Sequence, residues 1–288
     1  MSALSGYVTQ VQRLLHDAAA QFWSVGELQD YINEARIRVV RDTGCNRVLQ
    51  NIYLSTGVET YQFGGVTGFN LTNAGSGYTS PPTVTVAPPV STDGTQATAV
   101  ATLTPAGAIA SIQVVNPGSL YYLDVNPLVT ITGGGGIGGA ATATAINCYT
   151  IDAVNMSIYW GNSRRSLGYR DWSTFNTMAR GYVNYLGLPT LFSVYNYTSV
   201  YVATIPDQTY QVDLDTIVQP PFLVDNTTIE VIPIVMQDPV QYFAAHLAKI
   251  KSQRWDEADK FYQRYNVEIL KAINSSFTRR LKNPYFTN

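Results

Sequence analysis

Few residues in this 288-residue sequence have the type and spacing that chemistry needs. The histidines are His16 and His246; each lies within a helical pattern, and neither has a Cys or Asp at a useful spacing. Without a histidine placed to act as a base, a Ser–His–Asp triad is not expected. Cys45 and Cys148 form neither a metal-binding spacing nor a disulfide framework, so both are predicted to be free thiols.

Three clustered carboxylates offer another route to catalysis. Asp256, Glu257 and Asp259 would provide the pair of carboxyl groups that glycoside hydrolysis uses. Their helical spacing beside Lys260 and Arg264 instead indicates a solvated face with ion pairs between residues four apart.

A run of four glycines, Gly133 to Gly136, has the composition of a phosphate-binding loop. Such a loop also needs a lysine and a following helix, and the sequence supplies neither at this point. The glycine run, the histidines and the carboxylates all lack the arrangement that catalysis needs. The sequence therefore predicts a protein that is not an enzyme, with no catalytic, cofactor-binding or metal-binding residue.

The composition limits the classes of partner. The net charge is −2, so bulk electrostatics recruit neither nucleic acid nor an anionic membrane. Charged residues make up 13% of the chain, against ~25% in typical soluble domains, and 20 residues are Tyr. Two explanations stay open: a surface largely covered by other proteins, or a β-rich domain with Tyr on its sheets. No apolar run approaches ~18 residues and no signal peptide is present, so we expect no membrane contact and folding in a reducing cytoplasm.

The longest helical pattern begins near residue 238 and organises the C-terminal part of the chain. Asp238 is predicted to cap the helix, with Pro239 at the first helical position, where a missing N–H costs nothing. A break between Ser252 and Asp256 predicts two helices or one bent helix. Apolar residues three or four apart define its predicted buried face: Phe243, Leu247, Ile250, Ala258, Tyr262, Tyr265, Ile269 and Ile273.

Two more helices are predicted at the N-terminus. The first spans about residues 5–19; Ser24 and Glu27 then form a capping box that starts the second, which ends before Gly44. The arginines of the second helix are expected outside, on a solvated face or a basic face for a partner: Arg36, Arg38 and Arg41. The residues expected to be buried in the helical core are Leu28, Ile32, Val39, Leu247, Ile269 and Ile273.

The composition changes sharply between Gly65 and Ala145, where Lys, Arg, Glu and His are absent. Alternating Val/Thr and Ala/Thr with Gly turns is a strand signature. The stretch also repeats itself: 73–78 matches 116–121, 81–86 matches 126–131, and 95–101 matches 139–145. We therefore predict two β units packed as one small domain.

These patterns predict an α+β fold: a helical core of long amphipathic helices with a strand-rich segment, interrupted by a small all-β insert. The predicted domains are a core in two parts, 1–64 and 147–288, and an inserted β-repeat domain, 65–146. Further strands are expected within 50–63, 149–160, 192–197, 199–205 and 209–214, with a short helix from Asp171 through Ala179.

The order of these elements resembles the head-to-tail adaptor, or head-completion, proteins of short-tailed bacteriophages. The resemblance covers about residues 5–63 and 147–288, whereas 66–146 departs from a minimal adaptor and looks like β repeats of phage structural proteins. It is carried by Ser24–Ala35, Asn162–Leu167, Gly187–Phe192, Ile205–Val212, and Ile232-Pro233 before Tyr242–Ala245.

The resemblance implies a structural virion protein in the neck between head and tail, made in the host cytoplasm. It implies a dodecameric ring under the portal protein, with a tail nozzle or tail fibre protein bound below. Double-stranded DNA would pass through the central channel without specific binding during packaging and ejection.

The resemblance also implies that the C-terminal segment reaches the portal. The residues predicted to make this contact combine aromatic anchors and cations: Phe277, Arg279, Arg280, Lys282, Tyr285 and Phe286. The alternative function is a β-rich receptor- or glycan-binding tail component, which an exposed aromatic cluster among Tyr78, Tyr121 and Tyr122 would support.

Overall fold

The computed structural model describes residues 3–122, 126–180 and 185–276. The chain forms two compact units. The first, which we call the terminal unit, is built from the two ends of the chain, up to Asn46 and from Gln219 onwards. The second, the 47–218 unit, is built from Arg47–Val218. The predicted domain limits at 64/65 and 146/147 both fall inside the second unit and stay a prediction.

All sixteen described strands lie in the 47–218 unit, and four of the five described helices lie in the terminal unit. The described helices are α1 (Ala3–Leu15), α2 (Val25–Thr43), α3 (Trp172–Met178), α4 (Asp238–Lys251) and α5 (Trp255–Ser276), with a 3₁₀ turn at Ile234–Met236. The first eight described strands are β1 (Arg47–Leu54), β2 (Thr60–Gln62), β3 (Val66–Ser76), β4 (Thr83–Val86), β5 (Thr98–Leu103), β6 (Ile109–Asn116), β7 (Val129–Thr132) and β8 (Ile137–Ala145). The remaining ones are β9 (Thr150–Trp160), β10 (Ser163–Ser166), β11 (Gly168–Tyr169), β12 (Leu186–Gly187), β13 (Leu191–Tyr195), β14 (Ser199–Ala203), β15 (Ile205–Pro206) and β16 (Tyr210–Val218).

The predicted fold class is wrong. The described residues are 36% strand, in sixteen strands and five sheets, and only 29% helix. Long helices are present at the two ends of the chain, but the sheets between them are the larger part of the structure. The helices dominated the prediction because each one can be recognised from residues close together in sequence. Sheets instead join strands that are distant in sequence, such as β1 and β16.

Helix α2 begins and ends where its capping residues predict. The Ser24 hydroxyl accepts the N–H of Glu27 at 3.2 Å, and the Glu27 carboxylate accepts the N–H of Ser24 at 3.2 Å, which confirms the capping box. Gly44 ends the helix with φ of 62°, a left-handed conformation that costs glycine little.

The C-terminal pattern forms two helices, as one of the two predicted alternatives requires. The predicted cap is wrong: Gln237 occupies the cap position, where its side chain accepts no hydrogen bond from the first turn, and Asp238 lies in the first turn of α4. An acidic residue is still favourable there, because the N-terminal end of a helix carries partial positive charge.

The core of the terminal unit contains most of the predicted residues. Four of the six predicted core residues are buried: Leu28, Ile32, Val39 and Ile269. The other two, Leu247 and Ile273, are only half-buried. The buried stripe of α4 runs instead through Val240, Ala244 and Ala248, so its inward face is rotated by about one residue from the predicted one.

One core of the 47–218 unit is formed by two of its four-stranded sheets. One sheet has the order β1-β16-β9-β10 and is antiparallel throughout; the other has the order β11-β13-β14-β2. Alternate residues of these strands point into the same apolar cluster, as half-buried strands require. Its members include Ile52, Leu54, Met156, Ile158, Phe192, Val200, Val202, Val212 and Leu214.

Strands β3 to β8 lie in the stretch without Lys, Arg, Glu or His, residues 65–145, which we call the low-charge block. The described residues of this block contain no helix. Each repeat contributes three strands, and strands of one repeat pair with strands of the other: β3 with β8, β5 with β6, and β4 with β7. Strand β4 also pairs with β5 of its own repeat. The two repeats therefore interlock around one shared core rather than folding as separate units.

Two tyrosines at matching positions of the repeats, Tyr78 and Tyr121, link one repeat to the other by hydrogen bonds. The Tyr78 hydroxyl accepts the N–H of Gly139 at 3.1 Å, and the Tyr121 hydroxyl accepts the N–H of Ala97 at 2.9 Å. Each tyrosine thus belongs to one repeat and satisfies a backbone donor of the other. At its base the block closes between Gly64 and Ile146, where the N–H of Gly64 donates to the carbonyl of Ile146 at 2.7 Å.

Candidate interaction surface

The segment before α4 has an ordered backbone although it lacks regular structure over most of its length; we call residues 220–237 the anchored loop. Helix α2 holds its first part. Asn33 Nδ2 donates to the carbonyl of Leu223 at 3.2 Å, and the N–H of Leu223 donates to Asn33 Oδ1 at 2.8 Å. Gln29 Nε2 donates to the carbonyls of Leu223 and Val224 at 2.9 and 3.1 Å. The amide side chains therefore replace the backbone partners that a strand or helix would have given this segment.

A buried ion pair holds the second part of the loop. Arg36 is fully buried, and its guanidinium donates to both Glu230 oxygens, at 2.9 and 2.7 Å. The same guanidinium donates to the carbonyl of Pro221 at 2.6 Å. One side chain thus fixes two points of the loop that are nine residues apart in sequence. Tyr7 lies close by, where burial raises the pKa of its hydroxyl and the charge of Glu230 raises it further.

The tip of the loop is ordered by its own side chains. Asp225 Oδ1 accepts the hydroxyl and the N–H of Thr227, at 2.7 and 2.8 Å, and both groups of Thr228, at 3.1 and 3.0 Å. These donors favour the charged carboxylate and lower the pKa of Asp225 to about 2. Asp225 is therefore an exposed, fully ionised carboxylate near neutral pH.

The anchored loop nevertheless exposes apolar side chains. Ile229 is 80% exposed and Ile234 is 83% exposed. Single exposed apolar residues are ordinary on protein surfaces, but a dense run of them marks an interaction site. Six occur between residues 222 and 235: Phe222, Val224, Ile229, Val231, Ile234 and Val235. The loop thus combines a fixed backbone with a surface that water solvates poorly.

A second cluster lies in the 47–218 unit and is built from aromatic side chains. The Trp172 ring lies 4.5 Å from the Tyr195 ring and 4.6 Å from the Tyr201 ring, between centroids. Arg180 stacks on this cluster, and its Nε donates to Glu59 Oε1 at 2.9 Å. Glu59 and Arg180 also line a cavity of about 430 Å³. The paired charges neutralise each other there, so the cavity presents no net charge from this pair.

The β9–β10 hairpin presents another exposed feature. Strand β10 is an edge strand whose four residues are all exposed, and it carries Arg164 and Arg165. Arg164 forms an ion pair with Asp213 at 3.0 Å, and the guanidinium of Arg165 lies 4.8 Å from the centre of the Trp160 ring. Charged side chains on an edge strand also protect it from pairing with other strands.

The position predicted for Arg36 is wrong. Arg36 was expected outside α2 with Arg38 and Arg41, but it is fully buried. Its position was readable, since it lies four residues after Ile32 and three before Val39, on the apolar stripe. An arginine inside such a stripe signals a buried partner, which here is Glu230.

The predicted portal-binding residues lie outside the described part of the chain. They are Phe277, Arg279, Arg280, Lys282, Tyr285 and Phe286, all beyond the end of α5 at Ser276. Their role therefore stays a prediction.

The histidines occupy different settings. His16 is exposed just after α1, whereas the adjacent Asp17 is buried. Burial alone would raise the pKa of Asp17, yet three backbone N–H groups that donate to its carboxylate lower it. His246 Nδ1 lies 2.8 Å from the carbonyl oxygen of Ala258 and its ring packs on Phe243.

Glu257, near the start of α5, forms ion pairs, but not with the expected partners. Glu257 pairs with Lys249 at 2.6 Å and with Arg254 at 3.3 Å, whereas Arg264 pairs with Glu268 at 2.8 Å. Residues 3–122, 126–180 and 185–276 contain no group of three or more His, Cys, Asp or Glu side chains arranged for a metal ion.

The remaining expectations concern tyrosines and cysteines. Tyr78 and Tyr121 are buried, so they form no exposed aromatic cluster with Tyr122 of the kind that would support the alternative receptor- or glycan-binding function. Their hydroxyls lie inside the low-charge block, where they accept hydrogen bonds from backbone N–H groups of the repeats. Cys45 and Cys148 are free thiols, and burial raises the pKa of each, which disfavours the reactive thiolate.

Comparison with protein-family models and with curated proteins gives no match to this chain. Among the described helices, none is long and apolar enough to cross a membrane.

Proposed function

We propose that this chain is a structural virion protein, not an enzyme, that forms a ring joining the capsid portal to the tail of a short-tailed bacteriophage. The proposal rests on the sequence resemblance, and one structural observation supports it above others. The anchored loop holds apolar side chains in solvent on a backbone fixed by buried polar groups. This is the surface expected of a protein that works by assembling with others.

The energetics favour repeated contacts over a single one. A large apolar side chain contributes up to ~1.5–3 kcal/mol when it is fully buried. Six such side chains reach on the order of 10 kcal/mol, while association costs ~4–15 kcal/mol. One loop contact therefore gives a weak complex. A ring, in which each copy has two neighbours, is the assembly that makes such a contact stable.

The other partners follow from the same proposal. The portal protein binds above the ring, through residues 277–288, and a tail nozzle or tail fibre protein binds below. The net charge of −2 suits a channel through which double-stranded DNA slides, because few cations would hold its phosphates.

The proposal is tested by mixing the purified full chain with purified portal rings and imaging the product by electron microscopy. We expect a second ring stacked on the portal, with the same axis. A version lacking residues 277–288 should keep its melting temperature and lose portal binding. Full chain that leaves the portal rings bare at saturating concentration would contradict the proposed function.

A further inference from the structure

We propose that the cavity lined by Glu59 and Arg180 binds one apolar side chain of an extended, uncharged peptide segment of another protein. The ion pair would hold the peptide group next to that side chain. The cavity lies in the 47–218 unit, so this inference goes beyond the proposed ring and does not depend on the anchored loop.

Three stretches of the chain meet at this cavity. The carbonyl of Glu59, just before β2, accepts the N–H of Val202 in β14 at 3.0 Å. Leu191 of β13 lies opposite Ala203 of β14, and Arg180 follows the end of α3 by two residues. A site built on paired strands and a helix end is already formed before binding, which lowers the cost of ordering it.

The wall of the cavity is mainly apolar. Its volume of about 430 Å³ lies within the range of ~300–1,000 Å³ that is typical of ligand pockets. Because an apolar wall offers water few hydrogen bonds, an apolar group that replaces the water is favoured. The apolar side chains deepest in the list of wall residues are Leu191, Val202, Ala203 and Ile205.

The apolar surface continues outside the cavity. Met178 and Tyr185 line the cavity and are 69% and 67% exposed, and the next residue, Leu186, is 57% exposed. A small molecule inside the cavity would leave this rim in water, whereas a protein segment would cover both. An apolar side chain inserted into such a pocket is also the usual centre of a protein–protein contact. The rim therefore favours a protein segment over a small molecule.

The charges at the cavity select an uncharged occupant. Among the described residues that line it, the charged ones are Glu59 and Arg180, which pair at 2.9 Å. Asp207 follows the lining residue Ile205 by two positions, but it does not line the cavity and accepts the hydroxyl of Tyr210 at 2.7 Å. A charged side chain entering the cavity would lose its hydration and meet no unpaired opposite charge.

The ion pair keeps unused hydrogen-bonding groups. Arg180 Nε donates to Glu59 Oε1 at 2.9 Å, Nη1 donates to Asn176 Oδ1 at 3.3 Å, and Nη2 reaches Glu59 Oε2 only at 3.5 Å. A guanidinium has more N–H groups, and a carboxylate more lone pairs, than these bonds use. A peptide group has an N–H and a carbonyl, so it matches a neighbouring acceptor and donor. The guanidinium lies 5.7 and 5.5 Å from the ring centres of Trp172 and Tyr201, which keeps it in place.

The test measures binding of labelled peptides to the full chain by fluorescence anisotropy. The probes are short peptides with blocked ends and a Gly/Ser background that differ only at the central residue, which is Leu, Asp or Lys. We expect the Leu peptide to bind, and the Asp and Lys peptides to bind about tenfold more weakly or worse. Methylation of the backbone nitrogen of the Leu residue removes a donor and should weaken binding about tenfold.

Two variants and a matched control assign the binding to this cavity. Ala179→Phe fills the cavity from the end of α3 and should abolish binding of the Leu peptide, whereas Ala110→Phe, at an exposed alanine of β6 in the same unit, should not change it. Glu59→Gln keeps the shape of the side chain and leaves Arg180 unpaired. It should therefore improve binding of the Asp peptide relative to the Lys peptide, a change of preference that a merely structural role of Glu59 would not produce.

Several results would overturn the inference. They are equal binding of the three peptides, absence of binding at saturating concentration, and full binding of the Leu peptide by Ala179→Phe. N-acetyl-leucinamide, a single blocked residue, distinguishes the two kinds of occupant. If it binds as tightly as the Leu peptide, the cavity is a small-molecule site and the proposed protein segment is wrong.

Discussion

Loss of the Arg36 guanidinium should be among the most damaging single changes in the terminal unit. In Arg36→Met, Glu230 keeps its charge, with a side chain only 8% exposed, and loses both of its guanidinium donors. The carbonyl of Pro221 and Asn33 Oδ1 lose donors as well. Removing one partner of a buried ion pair costs ~3–5 kcal/mol, because the other charge is left uncompensated in a poorly solvated site.

Two further variants separate this reasoning from a simple loss of volume. Arg38→Met changes the same residue type two positions along α2, where the ion pair with Asp42 is 47% and 28% exposed, so we expect a loss under ~1 kcal/mol. The double variant Arg36→Met with Glu230→Met removes both charges and should recover much of the stability, since replacing a buried pair by apolar groups is often neutral.

The assay is equilibrium denaturation followed by tryptophan fluorescence. Trp23 and Trp255 lie in the terminal unit, so their signal reports on it separately from the 47–218 unit when Trp160 and Trp172 are replaced by Phe. A loss below ~1 kcal/mol for Arg36→Met, the value expected of an exposed pair, would refute the argument. So would a double variant whose loss equals the sum of the two single losses.

Four other outcomes follow from the structure. Asp225 has a pKa lowered to about 2, so its contribution to stability is present above the unfolded value of ~3.9 and is lost as the pH falls toward 2; acid titration should therefore separate wild type from Asp225→Asn above pH 4 but not at pH 2. Ile32→Ala should cost ~2–5 kcal/mol in denaturant unfolding, and Leu247→Ala less, since Ile32 is fully buried and Leu247 only half-buried. Tyr121→Phe should cost ~1–3 kcal/mol in the same measurement, because the buried N–H of Ala97 loses its acceptor. Deletion of residues 66–146 with a short linker should leave a soluble chain that still forms rings by electron microscopy, and an insoluble product would place this block within the core.

Local signals made the helices readable. The Ser24 and Glu27 capping box and Gly44 define both ends of α2 within a few residues, because caps satisfy backbone groups that the helix itself leaves unpaired. The alternation of apolar and polar residues likewise revealed β9, β13, β14 and β16, whose inward side chains repeat every second residue.

Long-range relations were not readable in the same way. The pairing of β1 with β16 joins Arg47 to Ile217, and nothing near either residue in sequence names the other. The repeat in the low-charge block was visible, yet its interlocked pairing was not, because identical strand patterns fit both separate and exchanged units. The sequence patterns therefore did not predict that strand residues outnumber helical residues.

The interaction surface was hidden for a different reason. The anchored loop reads as a proline-punctuated connection, and its order comes from Asn33 and Arg36, about 190 residues earlier. The arginine at an apolar spacing was the available signal. Its partner Glu230, by contrast, follows no local pattern.

The most direct test of the proposed function is electron microscopy of assembled particle necks with this chain carrying a visible label. The account predicts a ring of label directly below the portal, coaxial with it and surrounding the DNA channel. Label found only at the distal tail, or absent from purified particles, would contradict it.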